Sequence, residues 1–501
     1  QSFVLSSWIL VVVLTAAAQQ PARNPRGEFE VSGRLVNALT GEAVHNAFVQ
    51  LSPVAQPGQT ARSEVSTDGS FAFHNLLPGK YALMAQGRGF TPQMFEQHEN
   101  FSTAIVVGAD KISTDLVFRL HPQSSISGRV LDEHNEPVRE AHVMLFYRNN
   151  DLGRRTIETR GQMQTDDRGE YHFDALGPGT YYLALSAQPW YRRYLQQVPR
   201  HGGGPQPQAE VDSALDVAYP LTYYPSTTDA DSASAILLRP GDRISADFNL
   251  TPVPSLHLTF RNSNPDGTRP DQPNFQQVAF GEPVGFFQPS VISGQNEIEV
   301  SGIAPGDYAL NVFHADGKQT STRTRNLTLQ QSGELDPSSG ESLEHIHGVV
   351  KFEGDRPPAD TFLQLRDLSS GRSLGARLDD QGEFTIQPEH AGRYVIALFN
   401  AQGYAIRSIS ATGGRVSGRT VEFTGSQPLE LTIGAAQGVG TVNGMVMNGD
   451  KGRSGAMVVL VPQDVADNAS LFRRDQSDSD GTFTLHDVVP GRYTAIAIQN
   501  G

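Results

Sequence analysis

GSFAFHNLLPGKY, residues 69–81, returns four more times at constant length: GEYHFDALGPGTY at 169–181, NEIEVSGIAPGDY at 296–308, GEFTIQPEHAGRY at 382–394 and GTFTLHDVVPGRY at 481–493. Thirteen-residue blocks repeated without insertion define an array of one small unit, so function has to be sought in a string of such units. Within each block two apolar residues flank one other, as Phe71 and Phe73 or Phe483 and Leu485 do. That spacing puts both side chains on one face of a half-buried strand. A turn follows, usually Pro-Gly as at Pro78-Gly79 and Pro178-Gly179. Proline presets φ there and glycine accepts the positive φ. The reading makes the block a hairpin, with its second strand starting at Tyr81, Tyr181, Tyr308, Tyr394 or Tyr493.

Upstream of each block lies a short strand with a central glycine, VSGRL (31–35), ISGRV (126–130), IHGVV (346–350) and VNGMV (442–446), with LHLTF (256–260) as the divergent copy. A second strand follows, for example AFVQL (47–51) or AHVML (141–145). Closing strands are expected at Asp115–Leu120, Ala246–Leu250, Arg325–Leu329 and Leu429–Ile433. Short strands separated by turn signals, with almost no helical periodicity, define an all-β chain, a tandem array of about five small antiparallel β-sandwich modules of immunoglobulin-like type. The modules are read as 28–121, 122–251, 252–335, 336–436 and 437–501, the third divergent in its opening strand.

The succession S-G-R-V, then P-x-x-x-A-x-V-x-L, then T-D-x-x-G-x-Y-x-F-x-x-L-x-P-G-x-Y resembles the carboxypeptidase regulatory-like domain, and Ser127 to Tyr181 carries it most fully. The resemblance runs over nearly all of the chain after residue 27, although the fourth copy lacks the proline of Pro-Gly and the third lacks the clear opening strand. It implies a seven-stranded, non-catalytic prealbumin-like sandwich, similar also to starch-binding and collagen-adhesin B-type domains. A fold of this kind specifies architecture far better than activity.

Residues 3–18, FVLSSWILVVVLTAAA, are uncharged, apolar and end in small residues. They are read as a signal peptide over 1–18 without its basic n-region, followed by a linker at 19–27, which makes the protein exported: periplasmic, envelope-bound or extracellular. The run is short for a membrane span of about 20 residues, so contact with a membrane would come only through a retained N-terminal segment. The absence of an initiator methionine and the stop at Gly501, before a fifth closing strand, lead to the expectation of a fragment. The chain has no cysteine, which excludes a disulfide framework and leaves each module to its own apolar core. A net charge of −15 without a basic stripe opposes nucleic-acid binding.

No catalytic, cofactor or metal site is assigned. None of the 14 histidines has glutamate three positions later, as a zinc carboxypeptidase would need, and no G-x-S-x-G elbow or phosphate-binding loop occurs. His345 and His347 share a strand face but fall short of the three or four ligands of a zinc site. Asp475, Asp478 and Asp480 lack the first and last ligands of a calcium loop and are read as a solvated turn. Collagen-adhesin relatives often carry a Lys-to-Asn crosslink, but the opening strands here have Arg34 and Arg129 at the comparable place, and only Lys351 ends such a strand. Arginine cannot replace that amine.

The second module contains an insertion, 188–235, with PWYRRY at 189–194, HGGGPQPQ at 201–208 and VAYPLTYYPSTTDAD at 217–231. Trp190, Tyr191, Arg192, Tyr194, Tyr223 and Tyr224 form the candidate ligand-binding set, since flat rings with polar edges suit sugar faces or peptides. The competing reading has these rings, with Tyr219, pin a long loop onto the sandwich. The sequence therefore describes a non-enzymatic, exported interaction scaffold with a protein or polysaccharide partner, its modules strung on short linkers such as His121–Ser124 and Leu250–Pro254. The alternatives are a carbohydrate-binding protein using the insertion, or an accessory region of a larger secreted peptidase or outer-membrane receptor.

Overall fold

The computed structural model describes residues 27–190 and 215–499, apart from 57, 152–153, 262–272, 286–288, 294–296, 317–318, 336–343, 355, 370, 389–390, 402 and 466. The signal segment and Tyr191, Arg192 and Tyr194 lie outside the described residues. Strands dominate, joined by two 3₁₀ turns, Ala230–Ser232 and Ala469–Leu471. No helix among those residues is long and apolar enough to cross a membrane.

In the first module the opening strand Phe29–Asn37 lies between Ser70–Leu76, antiparallel to it, and Leu116–Leu120, parallel to it. The facing sheet sets Ala47–Pro53 between Ala61–Glu64 and Gly79–Gly87, and the last of these also pairs with Gln93–Met94 and Ile105–Val107. The second, third and fourth modules repeat this plan, each pairing its opening and closing strands in parallel, in two short stretches in the second. In the fifth, Gly440–Met445 pairs with Thr482–Val488, facing a sheet of Arg473–Gln476, Met457–Pro462 and Tyr493–Ile498. A separate apolar core fills each sandwich.

The repeated block is not a hairpin. Its first strand belongs to one sheet and its second to the other, so Ser70–Leu76 pairs with the opening strand while Gly79–Gly87 pairs with Ala47–Pro53. The Pro-Gly turn therefore arches across the core. The apolar pattern demands this, because Phe71 and Phe73 meet Tyr81 and Leu83 face to face in the interior, where a hairpin would lay all four on one sheet. The tyrosine after the turn pins the arch. Its hydroxyl donates to the carbonyl four residues back: Tyr81 to Leu77 at 2.9 Å, Tyr181 to Gly177 at 3.0 Å, Tyr308 to Ala304 at 2.8 Å and Tyr493 to Val489 at 2.7 Å. The fixed distance between turn and tyrosine is thus set by a hydrogen bond, and a buried carbonyl left without it would cost roughly 1–3 kcal/mol.

The glycine of the opening strand also has one physical cause. Gly33, Gly128, Gly348 and Gly444 stand directly opposite Phe71, Tyr171, Phe384 and Phe483 on the first strand of the block. A Cβ would come within 2.6 Å of the ring at Gly348 and 2.4 Å at Gly444, and at Gly33 and Gly128 within 2.2 and 2.0 Å of the carbonyls of Leu116 and Ala246 in the closing segment of the same module. In the divergent third module the sizes are exchanged. Phe260 occupies the glycine place and pairs with Ile298 in the aromatic place, both buried. Volume is kept although the motif is lost.

One closing strand differs from the reading. Arg325–Leu329 belongs to Gln319–Leu329, the antiparallel partner of Gly306–Asp316, and the parallel strand is Gly333–Leu335. Leu327 and Leu329 bury their side chains in either arrangement, so alternation alone does not separate them.

The modules do not form an open string. The second touches the fourth, where Gly371 packs on Thr156 and Arg366 lies 3.8 Å from Glu158. The fourth holds the fifth through the Arg419 amide, which donates to the Asp467 carbonyl at 2.8 Å. The fifth then returns to the first, closing a circuit.

Candidate functional site

The insertion of the second module is built into the sandwich. Val217–Ala218 pairs with Val253–Pro254 at the start of the third module, Thr222–Tyr223 with Ala184–Leu185, and Ile236–Leu238 with Gly179–Tyr181, so both ends of one inner strand gain neighbours. Tyr219 enters the core and donates to Glu133 at 2.6 Å. Tyr224 is partly buried against Phe248, ring centroids 6.2 Å apart. Tyr223 is 4% exposed, and burial pushes its hydroxyl up to about 12, which keeps it protonated. Tyr223 thus serves packing, while Tyr224 is half-buried. Trp190, by contrast, is 62% exposed where the chain leaves the sandwich.

Tyr223 has a partner in the next module. Phe280, at the tip between Pro273–Ala279 and Glu282–Val284, inserts among Tyr223, Phe146 and Tyr182 with centroids 4.9, 5.0 and 5.4 Å away. Its φ of 50° is a conformation that non-glycine residues adopt at a cost, here offset by the ring's packing. Met144, Ala184, Ala279 and Val284 extend the seam, and buried Ser186 donates to buried Gln277 at 2.6 Å. At its edge His257 bridges Asp216 at 2.7 Å and Glu299 at 3.4 Å. Desolvation pushes the His257 imidazole down, but its hydrogen bonds with the two carboxylates and their charges outweigh this and raise it above the ordinary histidine value.

A second seam joins the first module to the fifth, and it uses the acidic run that the sequence reading leaves to solvent. Lys80 meets Asp478 at 2.5 Å and Lys111 meets Asp480 at 2.7 Å. The Ser479 amide donates to the Ala104 carbonyl, and the Val106 amide to the Ser479 hydroxyl, each at 2.9 Å. Gln476 donates to Thr103 at 2.9 Å, with Gln476, Ser477 and Thr103 all buried. Arg474 lies over Phe101, 5.2 Å from its centroid. The turn-like aspartates are docking groups because two of the chain's lysines face them from the other module.

Among the described residues, one cluster has metal-ligand chemistry, Asp132, Glu133 and His134. The three lie close together, yet Asp132 caps the amides of His134 and Glu136 while Glu133 accepts from Tyr219. His345 and His347 stack as the strand alternation predicts, centroids 5.7 Å apart, with His347 on Thr385. Lys351 is exposed.

The family described as carboxypeptidase regulatory-like domain matches residues 30–121 and 125–212. No curated protein matches the chain in sequence. Among solved structures it is similar to GBS52, the minor pilin of Streptococcus agalactiae, with 12% identity over 45% of this chain and 96% of that one, TM-score 0.22. It is also similar to the Bacillus anthracis TIE protein, 12% identical over 81% and 68% of the two chains, TM-score 0.17. A streptococcal ancillary pilin is 11% identical over 62% of this chain and all of that one, TM-score 0.19.

Proposed function

We propose that this chain, a carboxypeptidase regulatory-like domain protein in its first two modules, is an exported, non-catalytic interaction scaffold of the cell envelope or extracellular space. The observation that carries the reading is where the chemistry-bearing side chains are spent. The repeated tyrosines hold arches, the acidic run docks one module on another, Asp132 caps a turn and His257 bridges a seam. The circuit of modules holds loops in fixed relation, which is what a scaffold needs. Export is tested by fusing residues 1–501 to alkaline phosphatase, which is active only outside the bacterial cytoplasm. Activity lost on deleting residues 3–18 is the expected result, and an inactive fusion with those residues present overturns it.

A second reading, saccharide binding by the insertion, is favoured by the exposure of Trp190 and would use Tyr191, Arg192 and Tyr194 beside it. A glycan and peptidoglycan-fragment array probed with the whole chain and with a folded Trp190→Ala, Tyr191→Ala, Tyr194→Ala variant decides it.

A further inference from the structure

Where the second, third and fourth modules meet they line an open cleft of about 960 Å³. That is within the range of small-molecule sites, roughly 300–1,000 Å³. Its floor is the outer face of one sheet of the third module. Gln276, Ala309 and Asn326 lie in register across three strands, with Asn311 and the Asp307–Thr328 pair in the flanking rows. Alternate residues Phe275, Tyr308, Leu310 and Leu327 are buried beneath, so the strand period itself forces the amides, hydroxyl and carboxylate onto the open side. Arg155 and Thr156 of the second module and Ser369 and Arg372 of the fourth, which adjoin where Thr156 lies against Gly371, complete the lining together with Phe280, Gly281 and Pro283 as its apolar end.

We propose that this three-module cleft is a binding site for a short neutral oligosaccharide. Planar amides and hydroxyls side by side match the vicinal hydroxyls of a sugar: Asn311 donates to Gln276 at 3.1 Å and Thr328 to Asp307 at 2.6 Å, so a floor of alternating donors and acceptors is already oriented. Arg155 and Arg372 are balanced by Asp231 and Asp307, which disfavours a polyanion or polycation. The floor is a sheet face, so an extended peptide lying on it finds side chains in place of the free backbone groups that strand addition uses. The apolar end suits the C–H face of a pyranose. Because three modules supply the lining, the site exists only in the closed assembly. This inference is independent of export and of the insertion's rings.

The test is calorimetric titration of the full chain with cellotetraose, maltotetraose, xylotetraose, mannotetraose and chitotetraose. The expected result is saturable binding of at least one, weakened tenfold or more by Asn311→Ala with Asn326→Ala at unchanged melting temperature, and unaffected by Trp190→Ala. No binding by the wild-type chain, binding that survives the Asn311 and Asn326 changes, or binding lost with Trp190→Ala each overturns the proposal.

Discussion

Lys111 donates to Asp480 at 2.7 Å across 369 positions of sequence, tying the first module to the fifth. Together with Lys80 and Asp478 it makes closure of the circuit an electrostatic matter as well as one of fit. Both lysines are about one-third exposed, so each pair contributes less than about 1 kcal/mol and is weakened by salt. Reversing both charges, Lys80→Glu with Lys111→Glu, sets like charges against two largely buried aspartates and is expected to open the seam. Hydrogen exchange reads the outcome directly: the amides of Val106 and Ser479 should exchange faster while those of the core strand Ala47–Pro53 stay protected. Unchanged protection at Val106 and Ser479 counts against closure.

Asp480 and His257, one at each seam, respond to pH with opposite sign. At Asp480 burial pushes the carboxyl up, but hydrogen bonds from Lys111 and Thr482 and the Lys111 charge prevail and leave it below the ordinary value. Its contribution is present above the ordinary carboxylate range and is lost as the pH falls through and below it. His257 has its value raised, so its contribution is complete below about pH 6.5, the unperturbed value, and is lost as the pH rises through the folded value. NMR titration should place His257 above an ordinary histidine, and His257→Gln should flatten the pH dependence of the seam between the second and third modules without altering that of the Lys111 seam.

Phe280 couples two modules by one ring. Phe280→Ala is expected to cost about 2–3 kcal/mol, less than the roughly 3–5 kcal/mol of a fully buried phenylalanine because this ring is only partly buried. Calorimetry should resolve the joint transition of the second and third modules into two. Phe280→Gly removes the ring while relieving the positive φ, so it should cost less than the alanine change if the backbone conformation contributes.

The arch tyrosines allow the hydroxyl to be separated from the ring. Tyr308→Phe leaves the Ala304 carbonyl without its donor and is expected to cost roughly 1–2 kcal/mol, whereas Tyr181→Ala also empties a core position and should cost roughly 3–5 kcal/mol. Urea denaturation measures both, and a Tyr308→Phe variant as stable as the wild type would show that the ring alone holds the arch.

The strands were legible in the sequence because alternation and turn residues are local signals: Phe71, Phe73, Tyr81 and Leu83 are all core residues. Local pattern does not reveal which sheet a strand joins, and for that reason the block reads as a hairpin although its two strands lie in opposite sheets. In the insertion, rings were visible but their environment was not, since Tyr223 acquires its burial from Phe280 more than fifty positions away. The seam between the first and fifth modules was least legible. Gln476, Ser477 and Asp478 carry the composition of a solvent-exposed turn and become buried only when Thr103, Glu96 and Lys80 arrive from the other end of the chain.

Closure of the circuit also determines how the chain bears force. Tension applied between Gly27 and Gln499 would load the first-to-fifth seam before it reached the three sandwiches between them, because that seam is the shortest mechanical path. Its rupture would release the span of the intervening modules as slack with every core intact. A molecule fixed at both ends would thus lengthen first by undocking, and its ion pairs and few buried hydrogen bonds would act as a fuse that re-forms when the tension falls.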